Sequence, residues 1–285
     1  MRIFISSDME GTAGVVDWDQ CRPGGHDYER YRLLLQNEVN AAIDGANTAG
    51  GPHEFLVNDS HGRMANLHPE SLTGDAAYLS GRHKPLYMMQ GLDDSFDAVF
   101  FVSYHGSASA GPATLPHTYN PAAIAEVRLN GVLAAESGIN SLMALGHGVP
   151  VVLVTGDQTT ASELRPFWPD AHAAVVKQSI SRFAAESLHP ARANQLIRQT
   201  AREAVEALQE TRRNPAAQKP TAQIELPATL TVRLRNPDLA EMATWLERIE
   251  PDPSDPTLIH LVDDDPVRLY RTFVTLVMLT RGIAE

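Results

Sequence analysis

Arg2-Ile3-Phe4-Ile5-Ser6-Ser7-Asp8-Met9-Glu10-Gly11 is an apolar run that breaks off in two carboxylates and a glycine; Glu54-Phe55-Leu56-Val57-Asn58-Asp59-Ser60-His61-Gly62 repeats the pattern with a histidine. Ile3 to Ser7 and Glu54 to Val57 are expected as strands. From Asp27 to Ala49, the residues Tyr31, Leu34, Leu35, Val39, Ala42, Ile43 and Ala46 recur at three- and four-residue steps, the apolar stripe of an amphipathic helix. Gly50-Gly51-Pro52 stops that helix. Strand, helix and strand at this spacing make a βαβ unit, so the two strands run parallel. The strands are apolar almost throughout, as expected of a sheet covered on both faces.

Working outward, Ala98 to Ser103, Val151 to Thr155 and Ala173 to Lys177 are further strand candidates, with Pro150 tolerated just ahead of the second. Asn130-Gly131 between Val127-Arg128-Leu129 and Val132-Leu133 predicts a tight hairpin, because both residues accept positive φ. Glu136 to Leu145 reads as a helix. Another starts near Pro190, with Leu196, Ile197, Ala201, Ala204, Val205 and Leu208 on its buried side. Thr211 to Lys219 is polar and reads as a linker. Beyond it come a strand at Thr229 to Leu234, a helix at Leu239 to Ile249, a strand at Thr257 to Val262, and a last helix opened by Asp265 as cap and Pro266. The expected fold class is therefore α/β: a mostly parallel sheet flanked by helices in residues 1–210, the metal-binding catalytic domain, and a smaller α/β domain in residues 220–285 that completes the fold or builds an oligomer interface.

The 285 residues carry 23 basic against 35 acidic side chains, a formal charge of −12. Such a surface repels phosphate backbones and anionic lipids, so neither nucleic acid nor membrane is expected as a partner. Cys21 is the only cysteine, which excludes an internal disulfide and a thiolate metal cluster. The first residues lack the pattern of a signal peptide, and no apolar run approaches the ~20 residues of a membrane helix. The expected location is the cytoplasm.

In an open parallel sheet, side chains just past the carboxyl ends of strands meet in one crevice. Asp8 and Glu10 follow the first strand, His61 the second, His105 the third and Asp157 the fourth. Two close carboxylates repel unless a cation neutralises them, and imidazoles complete a mixed nitrogen and oxygen set suited to zinc. Asp8 is the candidate bridge between two ions, and Glu136 would approach from the hairpin and the helix after it. Each residue alone has a plainer reading as a cap, a solvated charge or a hydrogen-bonded histidine. Their convergence at successive strand ends is what raises metal binding above those readings. Gly11-Thr12-Ala13-Gly14 could cradle a phosphate, but it lacks a P-loop lysine and sits beside two acids. His117 is, by position alone, one loop histidine among eleven.

Several ordered motifs together resemble the DppA-type D-aminopeptidases: Ser7-Asp8-Met9-Glu10-Gly11, Val57-Asn58-Asp59-Ser60-His61, Gly91-Leu92-Asp93-Asp94, Tyr104-His105-Gly106, Pro116-His117-Thr118, Glu136-Ser137-Gly138-Ile139-Asn140, Gly156-Asp157 and Val176-Lys177-Gln178-Ser179-Ile180-Ser181-Arg182. The resemblance runs through most of residues 1 to 205. It implies Asp8, Glu10, His61, His105 and Glu136 as the ligands of a two-zinc centre and His117 as the catalytic histidine. It implies hydrolysis of N-terminal D-amino acids from short peptides. It also implies a homo-oligomer, a decamer of two stacked five-membered rings. Pro116 stands where the family often has serine, and Ala135 where it often has glycine. Three other functions fit the residues: another metal-dependent amidase or phosphoesterase on the same scaffold, a non-catalytic peptide-binding or transport accessory protein, and a structural ring protein with closed zinc sites.

Overall fold

The computed structural model describes residues 1–214 and 220–284. Its elements, in chain order, are β1 (Arg2–Ser7), α1 (Tyr28–Thr48), β2 (Glu54–Asp59), β3 (Asp75–Leu79), β4 (Ala98–Tyr104), β5 (Ile124–Leu129), β6 (Val132–Leu133), α2 (Glu136–His147), β7 (Val151–Asp157), α3 (Gln158–Leu164), β8 (His172–Ser181), β9 (Ala184–Ser187), α4 (Pro190–Arg213), β10 (Ala228–Leu234), α5 (Pro237–Ala243), β11 (Ile249–Pro251), β12 (Leu258–Asp263) and α6 (Pro266–Arg281). The larger sheet has the order β3-β2-β1-β4-β7-β8-β9 and is parallel except for the β8–β9 pair. The chain steps from β1 outward through β2 and β3, then returns to place β4 on the other side of β1. The strand order therefore reverses between β1 and β4, and a crevice opens at their carboxyl ends.

Alternation along the strands sends successive side chains to opposite faces. Ile3, Ile5, Val57, Phe100 and Val102 pack beneath α1 and α4; Phe4, Val99, Phe101 and Val151 pack on the other face, towards α2 and α6. Phe4, Phe100 and Phe101 are fully buried, and each such side chain contributes roughly 1.5–3 kcal/mol of hydrophobic stabilisation. Both faces are thus covered, as the continuous apolar runs predicted.

The second sheet is antiparallel, in the order β11-β12-β10-β5-β6. Its inner residues Val127, Leu129, Leu230, Val232 and Leu261 share one core with α2 and α6. Two of its strands, β5 and β6, come from within residues 1–210, so the C-terminal segment builds on a hairpin supplied from upstream. Asn130 and Gly131 close that hairpin with φ of 50° and 81°, the doubly positive turn that the dipeptide signals.

Several boundaries differ from expectation. Strands β3 and β9 were not anticipated, since Asp75-Ala76-Ala77-Tyr78-Leu79 and Ala184-Ala185-Glu186-Ser187 have neither a β-branched run nor a clean alternation. The helix expected over Leu239 to Ile249 ends at Ala243, and Ile249 opens β11 instead. Thr211 to Arg213, expected as linker, extend α4, while Pro215 to Lys219 fall outside the described residues. No described helix is long and apolar enough to cross a membrane.

Candidate metal centre

The loop after β1 is pinned onto the end of β4. The Asp8 N–H donates to the Val102 carbonyl (2.9 Å) and the Gly11 N–H to the Ser103 carbonyl (2.8 Å). A side chain on Gly11 would place its Cβ 2.0 Å from the Tyr104 carbonyl oxygen, so only glycine lets the two segments touch. β1 ends at Ser7, and these backbone bonds to β4 place both acids.

Asp8, Glu10, His61, His105 and Glu136 are brought together and all are buried. The His61 Nδ1 lies 2.9 Å from Glu10 Oε2 and 3.2 Å from Asp8 Oδ1. The His105 Nε2 lies 3.2 Å from Asp8 Oδ2 and 3.8 Å from Glu136 Oε2. His117 also belongs to the cluster. Its Nε2 is 3.8 Å from Glu136 Oε1, its ring stacks on His105 at 4.2 Å between centroids, and Trp18 abuts its edge at 5.4 Å. Donor atoms of Asp8, Glu10 and His105 lie within 4.8 Å of one another, as do those of His105, His117 and Glu136.

The ring orientations are set from outside. A carbonyl can only accept, so His61 Nε2–H donates to the Cys21 carbonyl (2.7 Å), His105 Nδ1–H to the Gly106 carbonyl (2.8 Å) and His117 Nδ1–H to the Leu115 carbonyl (3.0 Å). Each imidazole therefore turns its other nitrogen towards the carboxylates, the arrangement by which backbone acceptors orient metal-binding histidines. Glu136 is the first residue of α2, and its Oε1 accepts the Tyr119 N–H at 2.7 Å. Glu10 is steadied through its main chain: its carbonyl accepts from the buried Lys177 ammonium, which also reaches the Val15 carbonyl at 2.7 Å.

Charge is tightly packed here. Burial pushes the Glu136 carboxyl up to about 8, against the pull of His105. Burial also acts to raise Asp8, but hydrogen bonds with His105 and His61 overcome it and hold Asp8 well below the usual carboxylate range. Burial would lower His105, yet its bond to Asp8 and the Glu136 charge raise it to about 10. His61 is likewise lifted by Glu10 and Asp8 against burial. His117 goes the other way: burial, then the neighbouring His105 charge, push it down to about 4. Asp8 Oδ2, Glu10 Oε2 and His105 Nε2 are buried and have only one another, His61 and Glu136 to meet. Buried carboxylates crowded together are costly without a cation, and a nitrogen and carboxylate donor set fits zinc.

Some strand-end residues stand apart. Asp157 caps α3 through Thr160 N–H (2.8 Å) and accepts the Ser179 hydroxyl (2.8 Å), so it serves the scaffold. Sequence reasoning missed the Cys21 carbonyl and the Tyr119 N–H, because backbone partners leave no signature in side-chain identity. Lys177 did leave one, as a lone cation after the apolar run Ala173 to Val176.

A cavity of about 460 Å³ opens over this cluster at the switch point of a doubly covered α/β sheet, with Asp8, Glu10, His61, His117 and Glu136 in its wall. The sequence profile of the D-aminopeptidase family matches residues 1–275. A D-aminopeptidase of Bacillus subtilis (strain 168) is 40% identical over 200 residues, spanning 69% of this chain and 71% of that relative. Among solved structures, the Zn-dependent D-aminopeptidase DppA from Bacillus subtilis, described as a self-compartmentalizing protease, superposes with a TM-score of 0.89 at 31% identity over the full length of both chains. The fold and cluster define a peptidase of the α/β class, and the chain belongs to the D-aminopeptidase family.

Proposed function

We propose that the chain is a zinc-dependent aminopeptidase that removes N-terminal D-amino acids from short peptides, holding two zinc ions through Asp8, Glu10, His61, His105 and Glu136. The observation that carries this reading is the buried set of ligand-type atoms on Asp8, Glu10 and His105 within 4.8 Å of one another, found in a family whose solved relative is Zn-dependent. Asp8 meets both His61 and His105, so its carboxylate would hold zinc together with either histidine. Bound zinc supplies Lewis-acid polarisation of the scissile carbonyl and a lowered pKa for water.

His117 is the acid/base in this reading. Its Nδ1–H is committed to the Leu115 carbonyl, and a pKa near 4 leaves the ring neutral. Nε2 is then a bare acceptor facing the cluster, able to take a proton during attack and return it to the leaving amine. Trp18 and His105 hold the ring between them. The His105–His117–Glu136 grouping also favours a second assignment, His117 as a ligand.

The 460 Å³ cavity accommodates a few residues, not a folded chain. Residues 1–210 form the catalytic unit and 220–285 the smaller one in this reading. A decamer of two five-membered rings, as the family resemblance implies, would cover Trp245, Ile180 and Phe183, which are 77%, 68% and 51% exposed. A buried free Cys21 is compatible with the cytoplasm.

Hydrolysis of D-Ala-D-Ala, L-Ala-L-Ala and a phosphate monoester, before chelation, after it, and after zinc is returned, tests the function. Turnover of the D-peptide alone, lost and restored with zinc, is expected. Preferred turnover of the phosphate ester or the L-peptide, or D-peptide turnover indifferent to chelation, would contradict it.

A further inference from the structure

Arg22, Arg63, Arg82 and Arg281 come from four separate stretches of chain and line the same cavity as the buried acids. Several arginines elsewhere on this chain pair with acids, Arg198 with Asp44, Arg202 with Glu206, Arg212 with Asp97 and Arg268 with Asp263, while others on the outer surface, such as Arg30 and Arg192, stand apart from any described acid. Among the described residues, none of the four cavity arginines has a carboxylate partner, although acids outnumber bases 35 to 23 along the chain. Arg22 lies over the Trp18 ring, its guanidinium carbon 5.1 Å from the centroid, which leaves its N–H fork open. Arg63 follows His61 by two residues and Arg22 follows Cys21, whose carbonyl orients His61, so both are tied by short chain to the centre.

These cations answer a problem that the substrate poses. A short peptide is a dipolar ion. Its amino end faces the metal centre, whereas its carboxylate end must find a cationic partner of its own in the cavity of a protein with formal charge −12. Guanidinium groups reverse the local field and match a carboxylate bidentately. Two or three extended residues span about 7–10 Å, so the acid end of a di- or tripeptide remains close to the scissile bond.

We infer that Arg22, Arg63, Arg82 and Arg281 form a receptor for the free C-terminal carboxylate of the substrate, making the enzyme selective for di- and tripeptides with an unblocked acid end. This rests on the aminopeptidase reading above. A blocked terminus forfeits the charge-assisted bonds, and the neutral end gains nothing in their place. The same guanidinium groups would hold the carboxylate of a product dipeptide, so inhibition by such acids is part of the expectation.

The experiment compares the zinc-loaded enzyme on D-Ala-D-Ala and on its C-terminal amide, in the wild type and in Arg22→Met, Arg63→Met, Arg82→Met and Arg281→Met. The acid is expected to win by about tenfold or more in kcat/KM, expressed mainly in KM, with the advantage shrinking as salt rises. At least one variant should bring the ratio close to one. Equal kcat/KM for acid and amide in the wild type overturns the inference. So does a ratio unchanged in all four variants, including the case where a variant alters only the assembled size. If the wild type hydrolyses neither peptide, the aminopeptidase reading fails, and calorimetric titration with the two peptides still decides the receptor: tighter binding of the acid supports it, and equal affinity overturns it.

Discussion

Two strands of the parallel sheet, β2 and β7, end in a buried aspartate and a third, β1, is followed at once by one, and the three acids do different work. Asp59 is saturated by its own neighbourhood: it accepts the Asn66 backbone and side-chain N–H groups, the Leu67 N–H and the Tyr78 hydroxyl. Asp157 is taken up by the α3 cap and Ser179. The Asp8 carboxylate meets only the imidazoles of His61 and His105. A strand-end acid is thus available to a metal when the surrounding backbone declines to bind it. Position at the sheet edge alone does not distinguish the three.

The sharpest way to break that contrast is to remove each acid in turn. Asp8→Ala, and likewise His105→Ala, is expected to abolish hydrolysis and metal content while the circular dichroism spectrum stays native. Metal retained with near-normal turnover in either variant would make the Asp8 region no different from the other two. The next effect is on His117→Ala, where turnover should fall by about 10², the scale of a lost proton-transfer group, with metal still bound. Loss of metal in that variant would instead assign His117 as a ligand.

Asp59→Ala should leave metal content intact but cost about 3 kcal/mol in chemical denaturation, because several buried donors lose their acceptor together. Asp157→Ala should cost about 2 kcal/mol, for the α3 cap and the Ser179 bond. Full stability with lost metal in either variant would invert the comparison.

The smallest effect concerns protons. Without metal, carboxylates keep His105 protonated up to about 10 and raise His61 as well. Zinc must displace those protons, so its affinity should strengthen as pH rises through neutrality and weaken as pH falls. Calorimetry at pH 7 in two buffers of unlike ionisation enthalpy should report proton release on loading; identical heats after dilution correction would contradict it.

Much of this could be read in the chain. The run from Ile3 to Gly11 announced both the central strand and the acids beyond it, because a strand covered on both faces must be apolar until it emerges. Asn130-Gly131 announced its hairpin for a stereochemical reason. The second sheet was harder to see, since the β5–β6 hairpin joins β10 through β5, by contacts about a hundred residues apart in sequence. Short β11 was hidden behind a helical pattern that stops at Ala243. At the centre, side-chain types pointed to the five ligand candidates. Their orientation depends on the carbonyls of Cys21, Gly106 and Leu115, which any residue would offer. His117 was legible only through family resemblance, because nothing in Leu115-Pro116-His117 says that the loop folds back over His105.

The most direct measurement is the zinc content per chain, by elemental mass spectrometry, of wild-type protein and of Asp8→Ala after both are dialysed against a trace of zinc. Close to two ions per wild-type chain, and fewer than one in the variant, is the predicted result. An unchanged zinc content on loss of Asp8, or a wild type that holds none, would contradict the assignment of this cluster as a shared-cation site.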